Sequence, residues 1–224
     1  LLDQSVIADH QGFKAKEYGA EYKIIQTGKI WNLSQINFEK LKSEFKVAPY
    51  KNIEIADLRS FLQEKLNQML QQNSTRTDFA KRLQAIIEQY NSGGSTTENY
   101  YEALVEFAEN LKQEAERHVR EGLTEDELEL FDLLKQDKMT TEEIQKVKLA
   151  AKSLLTRLMA TQPKVLVQDW YKDAQSQRRV KSTVEDVLDQ NLPDSYNRVV
   201  FKAKCDTVFE LIYTRASSGQ KWAV

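Results

Sequence analysis

The sequence predicts an all-α protein, a bundle of about seven to nine helices. The chain of 224 residues contains only three prolines and seven glycines, and it is rich in residues that favour helices. Apolar residues recur at three- and four-residue steps, and no segment shows the alternation that indicates a strand. The length is sufficient for one bundle or for two packed helical subdomains.

The first half of the chain is predicted to contain four helices after an irregular start. Residues 1 to 33 contain Gly12, Gly19 and Gly28, so we predict a connector there, with one short helix near residues 3–9. Ser34 is the predicted N-cap of a helix that Pro49 ends. Three longer helices follow on apolar stripes, at residues 53–72, 79–90 and 96–121. A flexible loop, residues 91–95, separates the last two.

Two capping boxes mark helix starts in the second half. Thr124 and Glu127 have the spacing at which each side chain accepts a hydrogen bond from the backbone N–H of the other residue, and Thr140 with Glu143 repeats it. The helix that follows the second box is predicted to stop at Pro163.

Two further helices complete the prediction. One runs from about Gln168 or Ser176 to Asn191, and the last has Pro193 in its first turn and continues to about Ala216. A subdomain boundary is predicted either at the loop of residues 91–95 or at Gly122. We place it at Gly122, which divides the chain into a helical spacer-like segment (residues 1–121) and a C-terminal helical assembly domain (residues 122–224).

Composition also predicts the cellular compartment of the protein. The single cysteine, the absence of a long apolar stretch and the absence of a signal peptide favour the cytoplasm. The net charge of -2 excludes a strongly basic nucleic-acid footprint over the whole chain. Because the sequence starts at Leu1 without an initiator methionine, we expect it to be a fragment of a longer polypeptide.

The sequence contains no recognisable catalytic motif. Phosphate-binding glycine loops are absent, and His10 and His118 have no partner at metal-binding spacing. Cys205 alternates with lysines on a predicted helix, where a structural thiol is expected rather than a nucleophile. We therefore predict no catalytic residue, no metal ligand and no cofactor-binding residue in this chain.

An acidic segment lies between residues 98 and 132, where twelve carboxylates accompany three basic residues. Glu102, Glu106 and Glu109 share one helical face. We interpret this face as hydrated and able to meet a basic partner; a magnesium site is the less favoured alternative, because such sites usually need carboxylates that converge from strands and loops.

Six residues near the C-terminus are the candidates for contact with a partner or with DNA: Trp170, Arg178, Arg179, Lys181, Arg198 and Lys202. For Trp170 we favour a core position over a partner contact. For the basic residues, together with Lys204, we favour a solvated face with salt bridges over a phosphate contact. Trp222 either docks on the domain or belongs to a disordered tail.

One ordered set of landmarks resembles the C-terminal region of the R subunit of type I restriction enzymes. The landmarks span about 90 residues: Leu123-Thr124-Glu125, Glu127-Leu128, Phe131-Asp132, Leu134, Val147-Lys148, Ala151, Leu154-Leu155, Trp170, Arg179-Val180, Val184, Leu188, Leu192-Pro193, Tyr196, Lys204 and Val208-Phe209. Residues 1 to about 120 look less specifically like the helical segment that follows the motor domains of that subunit.

The resemblance implies a non-catalytic assembly module. In that family a nuclease domain and two ATP-driven motor lobes precede helices that dock on the modification and specificity subunits. ATP and magnesium would belong to the parent subunit and not to this chain. The alternative is a helical module that contacts DNA through the helices around residues 178–204 and guides the duplex toward the motor.

Overall fold

The computed structural model describes residues 24–26 and 29–223, and it confirms the all-α fold class. The described residues form two short strands and nine α-helices: β1 (Ile24–Gln26), β2 (Lys29–Trp31), α1 (Phe38–Val47), α2 (Lys51–Gln72), α3 (Thr77–Asn91), α4 (Thr97–Ala115), α5 (Arg117–Glu121), α6 (Glu125–Leu134), α7 (Thr141–Met159), α8 (Ala174–Asn191) and α9 (Arg198–Ser217). The short helix predicted near residues 3–9 lies outside the described residues.

The two strands correct the prediction that the chain has none. β1 and β2 pair antiparallel, with Ile24 opposite Trp31 and Gln26 opposite Lys29. Each strand has three residues, which is too short to produce the alternating pattern by which a strand is recognised in a sequence.

Both capping boxes are present. In each box the threonine hydroxyl accepts from the backbone N–H of the glutamate, and the glutamate carboxylate accepts from the backbone N–H of the threonine. The predicted starts of α6 and α7 are therefore confirmed. Gly122, which precedes the first box, has a φ of 65°, a left-handed conformation that glycine adopts at little cost.

Three predicted boundaries were wrong. Asn37, not Ser34, caps α1, because its side chain accepts from the backbone N–H of Lys40. The predicted helix of residues 96–121 is interrupted at Glu116, between α4 and α5. α9 begins only after Asn197, whose side chain accepts from the backbone N–H groups of residues 199 and 200, so Pro193 lies in the preceding loop.

The buried apolar side chains form two clusters. The N-terminal cluster extends from Trp31 to Leu111 and unites α1 to α4. The C-terminal cluster extends from Leu123 to Trp222 and unites α6 to α9. A division of the chain at residue 122 stays a prediction.

A polar network, which we call the bridging network, joins the two clusters. It consists of Arg76, Glu114, Arg117, Glu125, Glu129, Asp132 and Arg215. Arg76 is 3% exposed and occupies the turn between α2 and α3. Its Nε lies 2.9 Å from Oε1 of Glu114, and its Nη2 lies 3.0 Å from Oε2 of Glu125. The halves of the described chain are thus connected by charged side chains that are buried or half-buried.

Candidate docking surface

α8 and α9 form the last helical hairpin of the chain and carry five of the six predicted contact residues. Residues 192–197 connect the two helices. A connection this short makes them antiparallel neighbours. Nζ of Lys181 in α8 lies 2.7 Å from Oδ1 of Asp206 in α9. This ion pair indicates which parts of the two helices face each other.

Trp170 is the sixth candidate residue, and the structure places it in the core, as its neighbouring apolar residues favoured. Its side chain is fully buried, with Tyr171, Phe209 and Tyr213 at its ring edges or faces. Its indole N–H donates to the carbonyl oxygen of Trp222 at 3.0 Å. Trp170 is therefore a core residue, because it offers no surface to a partner, and Trp222 docks on the domain.

The four exposed cations do not form one cluster. Arg178 and Arg179 lie near the start of α8, whereas Arg198 and Lys202 lie near the start of α9. With the helices antiparallel and Lys181 beside Asp206, the midpoints of the two pairs are separated by roughly 13 Å along the hairpin. The sequence places these residues close together, but the hairpin moves them to opposite ends.

Two other lysines of this region are engaged within the fold. Lys181 is held by Asp206, and their hydrogen bond raises the pKa of the lysine. The Nζ of Lys204 donates to the carbonyl oxygens of Leu133 and Lys135 at 2.6 and 2.9 Å. Lys204 thus neutralises the negative end of α6. Burial lowers its pKa.

A cleft of about 540 Å3 opens beside Arg198 and Lys202, between α8 and α9. Its apolar lining includes Leu188, Leu192 and Phe201. Its charged lining consists of Arg198 and Lys202 with the three carboxylates of Glu185, Asp189 and Asp194.

An exposed apolar side chain accompanies this cleft. Val199, which follows Arg198 in the first turn of α9, is 79% exposed. The start of α9 therefore combines an exposed apolar group, a partly apolar cleft and charges of both signs. Protein interfaces of moderate polarity have this composition. We call the cleft with Arg198, Val199 and Lys202 the α8–α9 docking surface.

The acidic segment divides into two parts with different roles. Glu102, Glu106 and Glu109 are exposed on α4, as predicted for a hydrated face. Six later carboxylates instead form ion pairs within the fold: Glu114, Glu121, Glu125, Asp126, Glu129 and Asp132. The hydrated face therefore belongs to the first part of the segment, whereas the carboxylates of the second part are largely used within the fold.

Sequence reasoning missed Glu129 and Arg215, although a signal for both exists. Glu129 lies within a stretch in which residues 128 to 131 are all buried. Arg215 continues the buried stripe of Val208 and Ile212 on α9. A charge at a core position needs a partner of opposite charge, so each residue indicates the existence of the other.

Cys205 and His118 both lie in environments that favour a structural role over a catalytic one. Cys205 is buried, and burial raises the pKa of its thiol to about 11, so the reactive thiolate is scarce at neutral pH. The Nδ1 of His118 lies 3.0 Å from the carbonyl oxygen of Ala115 and 3.1 Å from Oε1 of Glu125.

Across residues 24–26 and 29–223, no group of three or more residues is arranged to hold a metal ion. No helix of that part combines the length and apolar character that a membrane span requires.

Comparison with known proteins assigns a family to this helical fold. The family described as "Type I restriction enzyme HindI endonuclease subunit-like, C-terminal" matches residues 18–216. The chain therefore belongs to the C-terminal region of type I restriction enzyme endonuclease subunits, as the ordered landmarks predicted.

A curated relative agrees with this assignment. The chain is 28% identical over 193 residues to a Methanocaldococcus jannaschii protein that carries the provisional name type I restriction enzyme MjaIXP endonuclease subunit. The match covers 83% of this chain and 17% of the relative. The chain thus spans about a sixth of that protein. No solved structure matches the chain.

Proposed function

We propose that this chain is a non-catalytic assembly module, which docks the endonuclease and motor subunit of a type I restriction enzyme onto the modification–specificity core. The family supports this proposal, since a subunit of such an enzyme works in a multisubunit complex. In this proposal ATP binding, magnesium binding and DNA cleavage belong to other parts of the full subunit, and the complex acts in the cytoplasm.

The charge of the α8–α9 docking surface is the observation that favours a protein partner. Its cleft combines two cations with three carboxylates, so its formal charge is -1. A nucleic acid presents only negative phosphates and is bound by surfaces with an excess of cations. A protein partner can present both signs of charge and an apolar group for Val199.

Co-migration with the modification–specificity complex of the same system tests the proposal. The wild-type chain is expected to co-elute with that complex in size-exclusion chromatography. The double variant Arg198→Glu/Lys202→Glu is expected to lose at least tenfold in affinity, because it reverses both cations of the surface.

The matched control for this experiment lies at the other end of the hairpin. Arg178→Glu/Arg179→Glu makes the same change of charge outside the cleft and is expected to dock like wild type. If wild type does not co-elute, the docking function is rejected. If both double variants dock as well as wild type, the α8–α9 docking surface is rejected.

Direct contact with DNA is the second candidate, and the exposure of Arg178 and Arg179 favours it. In the part of the chain that the structure describes, both side chains are exposed and neither takes part in an ion pair. Two phosphate contacts would give an affinity for duplex DNA that falls as salt is added. Duplex binding that is absent in wild type, or unchanged in Arg178→Glu/Arg179→Glu, would reject this candidate.

A further inference from the structure

A small cleft in the N-terminal half contains polar atoms that the fold leaves without partners. It has a volume of about 300 Å3 and is lined by Asn52, Ile55, Ala56 and Arg59 of α2, Tyr90 of α3 and Tyr100 of α4. It lies in the N-terminal cluster, away from the α8–α9 docking surface. We call it the Arg59–Tyr100 cleft.

Two buried polar atoms in this cleft have no hydrogen-bond acceptor. The guanidinium of Arg59 and the hydroxyl of Tyr100 lie close enough to interact with each other, but neither the Nε of Arg59 nor the hydroxyl of Tyr100 makes a hydrogen bond of normal geometry with the described residues. Arg59 also takes part in no ion pair within that part of the chain. Buried polar groups without partners are rare because they are costly, so these two atoms indicate a place for an acceptor that the described residues do not supply.

The surrounding residues hold the tyrosine in place. Tyr100 is 1% exposed, and its ring stacks on that of Tyr90 with centroids 4.1 Å apart and planes 5° from parallel. The hydroxyl therefore cannot turn to solvent unless the stacked pair separates.

Both groups are donors at neutral pH. Burial raises the pKa of Tyr100, although the charge of Arg59 and its contact with the hydroxyl oxygen oppose the rise, so the phenol stays protonated. A guanidinium keeps its charge and has no acceptor atom. The complementary ligand must accept hydrogen bonds and carry negative charge.

The size and surroundings of the cleft favour a single carboxylate. A carboxylate has two oxygens, which suit one guanidinium and one hydroxyl. The helix that supplies Tyr100 also exposes Glu102, Glu106 and Glu109, and these charges repel a polyanion such as a nucleic acid backbone.

We propose that the Arg59–Tyr100 cleft binds the carboxylate of an acidic side chain that a partner protein of the complex presents. The identity of the partner rests on the proposed docking function, whereas the carboxylate chemistry rests on the cleft alone. Arg59 would hold the carboxylate by its charge, and Tyr100 would donate the second hydrogen bond.

The chemistry is tested on the chain alone with sodium acetate, against sodium chloride at equal ionic strength. In NMR spectra of the 15N-labelled chain, acetate is expected to shift the Nε–Hε signal of Arg59 in a saturable way, and chloride is not. Tyr100→Phe is expected to weaken acetate binding about tenfold, because it removes one hydrogen bond to a charged group. Arg82→Gln, which removes an exposed cation of α3, is expected to bind acetate like wild type.

Two results would overturn the carboxylate assignment. One is the absence of a saturable shift with acetate. The other is binding of inorganic phosphate as tight as that of acetate, which would make the cleft a general anion site. Tyr100→Phe keeps the ring that stacks on Tyr90, so the variant is expected to fold. A loss of acetate binding in this variant therefore reports the loss of the hydroxyl.

The partner is tested with the modification–specificity complex. Arg59→Gln is expected to reduce the affinity of the chain for that complex at least tenfold, and Arg82→Gln is expected to leave it unchanged. If wild type binds acetate but not the complex, the docking function fails and the partner assignment fails with it, while the carboxylate chemistry stands. If wild type binds the complex and Arg59→Gln binds it equally well, only the partner assignment is overturned.

Discussion

Nη2 of Arg215 lies 2.7 Å from Oε1 of Glu129, and neither side chain is more than 7% exposed. The same carboxylate oxygen accepts from the backbone N–H and the hydroxyl of Ser74 at 2.8 and 2.9 Å. Glu129 thus contacts the last helix and the turn between α2 and α3. One carboxylate connects elements from both hydrophobic clusters.

Removal of this carboxylate is expected to be among the most destabilising single changes in the chain. Glu129→Ala leaves the guanidinium of Arg215 buried without its partner, and breaking a buried ion pair in this way costs about 3–5 kcal/mol. Urea unfolding measures the change in the free energy of unfolding. Glu102→Ala, which removes an exposed carboxylate, is the control and is expected to change that energy by no more than about 0.5 kcal/mol. Equal losses in the two variants would contradict the role of Glu129.

The same residue predicts a dependence of stability on pH. Burial opposes its ionisation, but hydrogen bonds from Ser74 and Arg215, with the charge of Lys221, hold the pKa of Glu129 below its ordinary value of 4.5. The stabilisation is therefore fully present above pH 4.5 and is lost as the pH falls through the lower folded-state pKa.

The measurement compares wild type with Glu129→Gln. Between about pH 5 and pH 3, the free energy of unfolding of wild type is expected to fall more steeply than that of the variant, which lacks this titrating group. Parallel curves would show that the pKa of Glu129 is the same in the folded and the unfolded state, which would contradict the prediction.

The bond between Trp170 and the backbone of Trp222 predicts how the C-terminal tail is held. Trp170→Phe keeps an aromatic ring but removes the indole N–H, and loss of one buried hydrogen bond leaves the carbonyl of Trp222 unpaired at a cost of about 1–3 kcal/mol. The tail is expected to become more sensitive to limited proteolysis. Tyr213→Phe, which changes another ring of the same group, is the control. A tail equally resistant in wild type and Trp170→Phe would contradict this contact.

The buried thiol of Cys205 is expected to react slowly in the folded protein. Its pKa of about 11 leaves little thiolate at pH 8, and burial excludes the reagent. Reaction with Ellman's reagent should be at least tenfold slower in buffer than in urea, where the chain is unfolded. Equal rates in both conditions would show that the thiol is accessible.

The sequence was sufficient for the parts of the fold that depend on neighbouring residues. The capping boxes at Thr124 and Thr140 act across three residues, so their geometry follows from spacing alone. The ordered landmarks also predicted the family. By contrast, the break at Glu116 has no proline or glycine to indicate it.

The surface was harder to predict because it depends on contacts between distant residues. Lys204 resembles Lys202, the other lysine of α9, in the sequence, yet it donates to carbonyl oxygens at the end of α6. Arg76 similarly finds Glu114 and Glu125, which are 38 and 49 residues away. Only the fold shows which charges are used internally and which stay available to a partner.

Lys221 donates to the carbonyl oxygen of Gln72, a contact that spans 149 residues. During synthesis this contact can form only after residue 221 has left the ribosome. The helices of the N-terminal cluster are complete much earlier and can pack while translation continues. The order of synthesis therefore makes the contact between Lys221 and Gln72 one of the last links between the two clusters to form.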